Sequence, residues 1–328
     1  MTAAMSTDFI GVDAGGTQTR ALLATSEGEI LGRGRAAGAN AWSSGGSAAG
    51  AITTAIEAAV VGHDPARVAG GCIAVAGGLS SVPERAAEVR EGWTALGLPG
   101  SPRIVIDIVA AYASGTTLPR GLVLTAGTGA IAALVEDGDL LRRTGGRGWL
   151  VGDEGSAVWL GIEGVRAALL DLDGRGPRTS LTEAVTSALA VPTDAGVDVA
   201  TRITDVVYSQ PPARLGQLAP RVVVAAETGD DVALELVETA AGQLTEIALT
   251  VAGDERPEVV VLGGSVLNQA RPIGERVRND LLARWPDAVL ERSASGEAGA
   301  VALALREAGG TVTPAVLERL RRGCDEAA

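Results

Sequence analysis

The chain has 328 residues, a formal net charge of −13, 46% hydrophobic residues and only 2% aromatic ones. That length suits two domains, whose cores must be built from Ala, Val, Leu and Ile. A surface this acidic repels phosphate backbones and anionic membranes, which excludes nucleic acid and membrane as partners. Every basic residue is arginine, ruling out a Gly-Lys-Thr phosphate loop, a Schiff-base lysine and a kinase of the protein-kinase type. The single histidine, His63, lies in Val61-Gly62-His63-Asp64-Pro65 and reads as a surface turn, which leaves a Ser-His-Asp triad without a base. Cys72 reads as a core residue and Cys324 as part of the C-terminal tail; their separation makes neither a metal site nor a disulfide framework. The N-terminus lacks a basic segment followed by a long apolar one, and no apolar run could cross a bilayer. A reducing cytoplasm is the expected location.

In chain order, Phe9 to Leu23 reads as an apolar strand, a glycine hairpin and a second apolar strand. Backbone N–H groups in a tight glycine turn bind anions without obstruction, so Gly15, Gly16, Thr17, Gln18 and Thr19 form a candidate phosphate cradle. Ala-Gly-Gly is also ordinary hairpin chemistry. Asp13 ends the first strand beside that cradle, where a carboxylate repels a nucleotide unless a cation stands between them. Asp13 is therefore a candidate for holding a hydrated magnesium ion. A third antiparallel strand is expected over 30–35, then a small-residue loop carrying Asn40 and Trp42. A helix over 47–61, a strand over 68–76, a helix over 83–96, a strand over 103–107 and a helix over 108–115 follow. Antiparallel strands leading into strands that alternate with helices predict a mixed sheet with helices on both faces. Asp107 falls at the carboxyl end of a parallel strand, where ligands bind in open α/β sheets. A carboxylate there either accepts a proton from an attacking hydroxyl or caps the helix that follows.

The pattern then restarts. A strand over 121–126 runs into Gly127-Thr128-Gly129, and a hairpin over 130–135 and 140–144 leads into a glycine-rich loop over 145–156. Helices are expected over 157–170, 181–189, much of 199–249, 234–251 and 273–285, with C-terminal helices over 297–308 and 314–322. A strand over 258–262 leads into Gly263-Gly264-Ser265. The restart predicts a first lobe over 1–116, completed by a C-terminal helix at about 300–328, and a second lobe over 117–299. Two lobes, each with a phosphate-facing hairpin, would hold a nucleotide between them and close to exclude water.

Five stretches occur in register: Gly11 to Thr19, Asn40-Ala41-Trp42, Asp107 to Ala111, Ala126 to Gly129, and Gly152-Asp153-Glu154-Gly155-Ser156. Together they resemble the N-acetylglucosamine kinase branch of the BadF/BadG/BcrA/BcrD ATPase-like family, in the wider superfamily of actin, hexokinase and the Hsp70 ATPase domain. The resemblance runs from about Ile10 to Gly299. It implies a two-lobed actin-like (ribonuclease H-like) α/β ATPase fold, with mixed sheets flanked by helices and the nucleotide in the interlobe cleft. It also implies ATP and magnesium, and a small-molecule sugar substrate phosphorylated on a hydroxyl. N-acetylglucosamine at its 6-hydroxyl is the first choice, then glucosamine or another hexose derivative, then a non-catalytic or regulatory ATPase of this family. A homodimer is the expected assembly.

On this resemblance Asp107 takes the place of the catalytic carboxylate. Gly15, Gly16, Thr17 and Thr19 match the first phosphate loop, Gly127, Thr128 and Gly129 the second, and Gly263, Gly264 and Ser265 the loop against adenosine. Asn40, Gly146, Arg147, Gly148 and Asp153 match positions that contact the sugar. Asp153 and Glu154 are either sugar acceptors or helix-capping acids, and Trp42 is either a core anchor or a wall against the sugar's apolar face. Ile106, Ile108 and Ala130 depart from the family's Asn, Ala and Ser, and Arg147 stands where eukaryotic members carry tryptophan. These changes leave phosphate binding untouched and bear on sugar recognition. An iron–sulfur activator of the same family would need bridging cysteines, and a sugar-responsive repressor a helix-turn-helix ahead of Phe9.

Overall fold

Runs of Val, Ile, Leu and Ala build two five-stranded sheets in a computed structural model that describes residues 7–16, 18–39, 48–77, 83–194 and 196–325. The first sheet holds β1 (Asp8–Ala14), β2 (Gln18–Thr25), β3 (Ile30–Ala37), β4 (Val68–Val75) and β5 (Arg103–Ile106), in the order β3-β2-β1-β4-β5. The second holds β6 (Arg120–Ala126), β7 (Ala130–Glu136), β8 (Asp139–Gly145), β9 (Val259–Gly263) and β10 (Val289–Arg292), in the order β10-β9-β6-β7-β8. β1 runs antiparallel to β2 and parallel to β4, while β6 runs antiparallel to β7 and parallel to β9. One design is thus used twice. The sequence reading lacks β10, a four-residue strand that is only half-covered and has no apolar run to reveal it. Its place follows from the duplication, in which it is the counterpart of β5.

Each sheet has a core of its own. On one face of the first, Ile10, Val12, Leu23 and Ile73 pack with Ile52 and Ile56 of α1 (Ala48–Val60) and Trp93 of α2 (Pro83–Ala95). The buried positions of α1 fall at helical spacing, which aims one apolar stripe at the sheet. The outer face of the second sheet is covered by α4 (Ala157–Leu172), α7 (Ala219–Glu227), α8 (Asp231–Ala252) and α10 (Arg271–Arg284), with Leu122, Leu124, Leu244, Val260, Leu262 and Leu281 in the core between them. Shorter helices α5 (Leu181–Ala188), α6 (Val199–Tyr208) and α9 (Ser265–Gln269) complete this half.

A third core joins the halves. Here α3 (Asp107–Gly115) and α11 (Gly296–Glu307) cross, with Val109, Ala113, Ala298 and Val301 packed against Phe9 and Cys72 of the first sheet and Val123 and Val261 of the second. A Cβ at Gly299 would stand 1.9 Å from the Ala110 carbonyl oxygen, so only glycine permits this crossing. The last helix, α12 (Pro314–Asp325), adds a strap: the Arg321 guanidinium donates to the carbonyls of Ser114 at 2.7 Å, Gly115 at 2.8 Å and Arg292 at 3.0 Å. It ties the end of α3 to the end of β10. Cys324 lies in the last turn of α12, half-buried against this third core, rather than in a loose tail. Cys72 is buried, and burial pushes its thiol up to about 12. His63 is half-buried, with Nε2 3.1 Å from the Leu31 carbonyl oxygen. Among the described residues no helix is long and apolar enough to cross a membrane.

Candidate active site

The first hairpin closes through Gly15, whose N–H donates to the Gln18 carbonyl at 3.0 Å and whose carbonyl accepts from Ala39 at 2.9 Å. Thr19 is fully buried, and its hydroxyl donates to the Ala37 carbonyl at 2.8 Å. That bond braces β2 against β3 and shapes the hairpin from behind. Gln18 Oε1 accepts from Arg20 Nε at 3.1 Å, keeping both side chains over the hairpin. Thr17, Asn40 and Trp42 lie outside the described residues.

Asp13 pairs across the ladder with Arg20, one residue before the end of β1, and lies against Gly296 at the start of α11. A Cβ at Gly296 would stand 2.6 Å from its carboxyl carbon. Burial, then the charge of Glu297, then that of Asp107 push Asp13 up to about 7, while Arg20 pulls it down. Asp107 follows β5 directly and is the first residue of α3. The capping position itself belongs to Ile106, which makes no side-chain cap bond, and Asp107 Oδ1 accepts from the N–H of Ile108 at 2.9 Å. Burial pushes Asp107 up to about 6, held back by the Ile108 N–H and by Arg143 on β8 of the other half. Sequence reasoning passed over Arg143, because one arginine in an exposed strand carries no motif.

In the second half Gly127 N–H donates to the Gly129 carbonyl at 2.9 Å, and Ala157 N–H donates to the Gly127 carbonyl at 2.8 Å. The start of α4 is thereby tied to the hairpin. Thr128 is exposed at its tip. Gly264 has φ +87°, and a Cβ there would stand 2.2 Å from the Ala126 carbonyl oxygen. This close approach sets Gly263, Gly264 and Ser265 directly beside Gly127, bringing together two of the expected nucleotide loops. Asp153 takes a left-handed backbone at φ +58°, which a non-glycine residue adopts only where its surroundings hold it. Its carboxylate lies over Gly129, where a Cβ would meet Oδ2 at 2.5 Å, and Oδ1 accepts from Gly148 N–H at 3.2 Å. Burial raises its pKa, and the N–H groups of Gly148, Ala130 and Arg147 hold it down. Asp153 thus binds the glycine loop of Gly146, Arg147 and Gly148 to the second hairpin. The cap of α4 is Ser156, fully buried and accepting from Trp159 N–H at 3.2 Å, so neither Asp153 nor Glu154 has that task. Glu154 and Arg147 are exposed.

Among the described residues no three His, Cys, Asp or Glu side chains gather as direct metal ligands. Magnesium does not require that: it keeps most of its waters and is held by one or two carboxylates and by phosphate. The donor set fits such a hydrated ion. Asp13 lies among the charges of Glu297, Asp107 and Arg20, and Oε2 of Glu297 is buried without a hydrogen-bond partner among the described residues.

Gly127 offers a probe of nucleotide binding that spares the fold. A Cβ there would meet nothing closer than Gly264 Cα and Ser265 N, both at 3.9 Å. Gly127→Val is expected to leave the thermal midpoint unchanged and to weaken ATP binding, because the branch would occupy space between the two loops that are expected to approach the phosphates. Calorimetric titration with ATP checks this; unchanged affinity removes the hairpin from the nucleotide site.

Two like sheets on a pair of crossed helices, each sheet with its own strand-to-glycine hairpin, define the actin-like class of ATPase folds. The chain belongs to the BadF/BadG/BcrA/BcrD ATPase family, whose profile matches residues 10–304. It is 27% identical over 322 residues to an N-acetyl-D-glucosamine kinase of Dictyostelium discoideum, covering 90% of this chain and 97% of that one. It is 28% identical over 270 residues to a glucosamine kinase of Vibrio cholerae, covering 79% and 84%. A solved structure from Chromobacterium violaceum, provisionally named an N-acetylglucosamine kinase, matches with a TM-score of 0.69 at 25% identity, over 90% of this chain and 98% of that one. The fold is shared as well by a Streptomyces griseus glucokinase of the ROK family solved with glucose and AMPPNP, at a TM-score of 0.54 and 21% identity, over 90% and 98% of the two chains.

Proposed function

We propose that this chain is an ATP-dependent sugar kinase that phosphorylates an amino sugar, N-acetylglucosamine first, on its 6-hydroxyl. The observation that carries the reading is Asp107. It is a carboxylate at the carboxyl end of β5, raised by burial to about 6, with Arg143 acting on it from the other half. A group with that proton affinity suits a general base near neutral pH. The kinase relatives from Dictyostelium and Vibrio support the same reaction class.

In this reading the N–H groups of the hairpins at Gly15–Gly16 and Gly127–Gly129 hold the phosphates, with Gly263, Gly264 and Ser265 against adenosine. Asp107 takes the proton of the attacking hydroxyl as the sugar oxygen bonds to the γ-phosphorus and the bond to the β,γ-bridging oxygen breaks, releasing ADP. Arg143 offsets charge across the cleft. Asp13 would hold a hydrated magnesium ion, which when bound would neutralise charge on the phosphates. Asp153 fixes the glycine loop that, with Asn40, Trp42, Arg147 and Glu154, receives the sugar. The first lobe comprises 1–116 with the C-terminal segment at about 300–328, and the second 117–299. Closure about α3 and α11 would exclude water from the reaction.

The Vibrio relative favours glucosamine as the second reading. An iron–sulfur activator fits poorly, because Cys72 is buried with its thiol raised and Cys324 packs against the core. A coupled ADP-release screen over hexoses, hexosamines and N-acetylhexosamines tests the proposal. Turnover fastest on N-acetylglucosamine is expected; fastest turnover on glucosamine transfers the reading to the free amine. ADP release that no sugar accelerates would identify a regulatory ATPase instead.

A further inference from the structure

Glu297 has no role in the reaction as described, yet its setting is unusual. It lies in the first turn of α11 and is only 8% exposed, and its Oε2 is buried without a hydrogen-bond partner among the described residues. An acid placed there only to suit the helix dipole belongs at the surface, in water. A buried carboxylate oxygen with nothing to accept is costly, so it persists where something else supplies the donor. Among the charges around Asp13, that of Glu297 weighs most, ahead of Asp107 and Arg20. The duplication adds an independent reason. As α3 follows β5, so α11 follows β10, and Glu297 occupies in the second half nearly the place that Asp107 occupies in the first.

We propose that Glu297 is a positioning residue for the divalent cation, accepting hydrogen bonds from the water shell of the ion that Asp13 holds. The proposal rests on the reading of Asp13 as the metal carboxylate. Magnesium sheds its waters reluctantly, and each of those waters is a strong donor looking for an acceptor. Glu297 supplies a fixed, desolvated one. Groups that act on an ion through its first shell typically alter its affinity by roughly 10–100-fold.

The experiment uses the full chain with ADP and Mn2+ in place of Mg2+, reading free Mn2+ by electron paramagnetic resonance. Wild type with ADP is expected to bind one Mn2+ more tightly than ADP alone does. In Glu297→Gln, which keeps the side chain's shape and removes its charge, the Mn2+ dissociation constant should rise by roughly 10–100-fold. ADP affinity in EDTA and the thermal midpoint should not fall. Glu297→Asp should recover part of the loss; if Glu297→Gln fails to fold, Glu297→Asp alone must still bind Mn2+ more weakly than wild type. Unchanged Mn2+ affinity in Glu297→Gln overturns the proposal, as does an equal loss of ADP affinity with and without metal, which marks a structural role. A separate arm tests the reading beneath it: if Asp13→Asn binds Mn2+ with ADP as well as wild type does, the metal does not sit at Asp13 and both fall together.

Discussion

Asp107→Asn is expected to lower kcat by roughly two to four orders of magnitude while ATP and sugar still bind, the range lost with a positioned general base. The amide keeps the shape and an acceptor oxygen but cannot take the hydroxyl proton. A pure capping role predicts little change, because Asn caps a helix about as well as Asp; the position of Asp107 one residue past the cap already weakens that account. Since burial raises Asp107 to about 6, kcat/KM should fall as pH drops below that value. The sign for stability is opposite. From an ordinary value of 3.8 the folded protein raises Asp107 to about 6 and Asp13 to about 7, so it binds more protons than the unfolded chain does between those limits. The contribution of these two groups to stability is present below 3.8 and lost as pH rises through 6 to 7. Asp107→Asn should accordingly be neutral or stabilising at pH 8 while its turnover there stays depressed. Near-normal turnover in the folded variant removes Asp107 from the mechanism.

Gly299→Ala is expected to destabilise the protein by about 1–3 kcal/mol, read as a lower urea midpoint at constant slope. Its sign is informative. In an ordinary helix interior alanine is better than glycine by about 1 kcal/mol, so the substitution would stabilise α11 if nothing lay against it. Here the new methyl overlaps the backbone carbonyl of Ala110, which cannot rotate away as a side-chain end could. The helices must separate, and α3 carries Asp107 at its first residue, so kcat should fall with stability. A higher midpoint would mean that the crossing is looser than the structure has it.

The fold was legible where a short signal repeats. Strand-into-glycine occurs at Ala14–Gly15 and again at Ala126–Gly127, and both are hairpins at equivalent places in the two sheets. β10 was not legible, because its four residues are Val-Leu-Glu-Arg and half of them face solvent. At the site, sequence singled out Asp13 and Asp153 as acids near glycine turns and Asp107 as an acid at the end of a parallel strand. It did not reveal that Asp153 anchors the loop to Gly129, since that contact depends on a left-handed backbone. Glu297 was hidden for a different reason. An acid in the first turn of a helix is so common on dipole grounds that it carries no message until its burial is seen. That the Thr19 hydroxyl is buried and donates to the Ala37 carbonyl was equally illegible, because nothing in the sequence marks which way that side chain points.

The covering of β1 has a consequence for how the chain is made. A Cβ at Gly11 would strike the carbonyl of Glu297 and the N–H of Val301, so the inner face of the first strand lies directly under α11. During synthesis the ribosome delivers β1 well before its lid, with the whole of the second half between them. The intervening half, from β6 through β10, is delivered in full before α11 begins at Gly296, and it buries its own outer core without α11. The half made first is therefore the half finished last. Throughout elongation it carries an apolar face that nothing local can cover, and chains in that condition are the ones most exposed to aggregation and to chaperones.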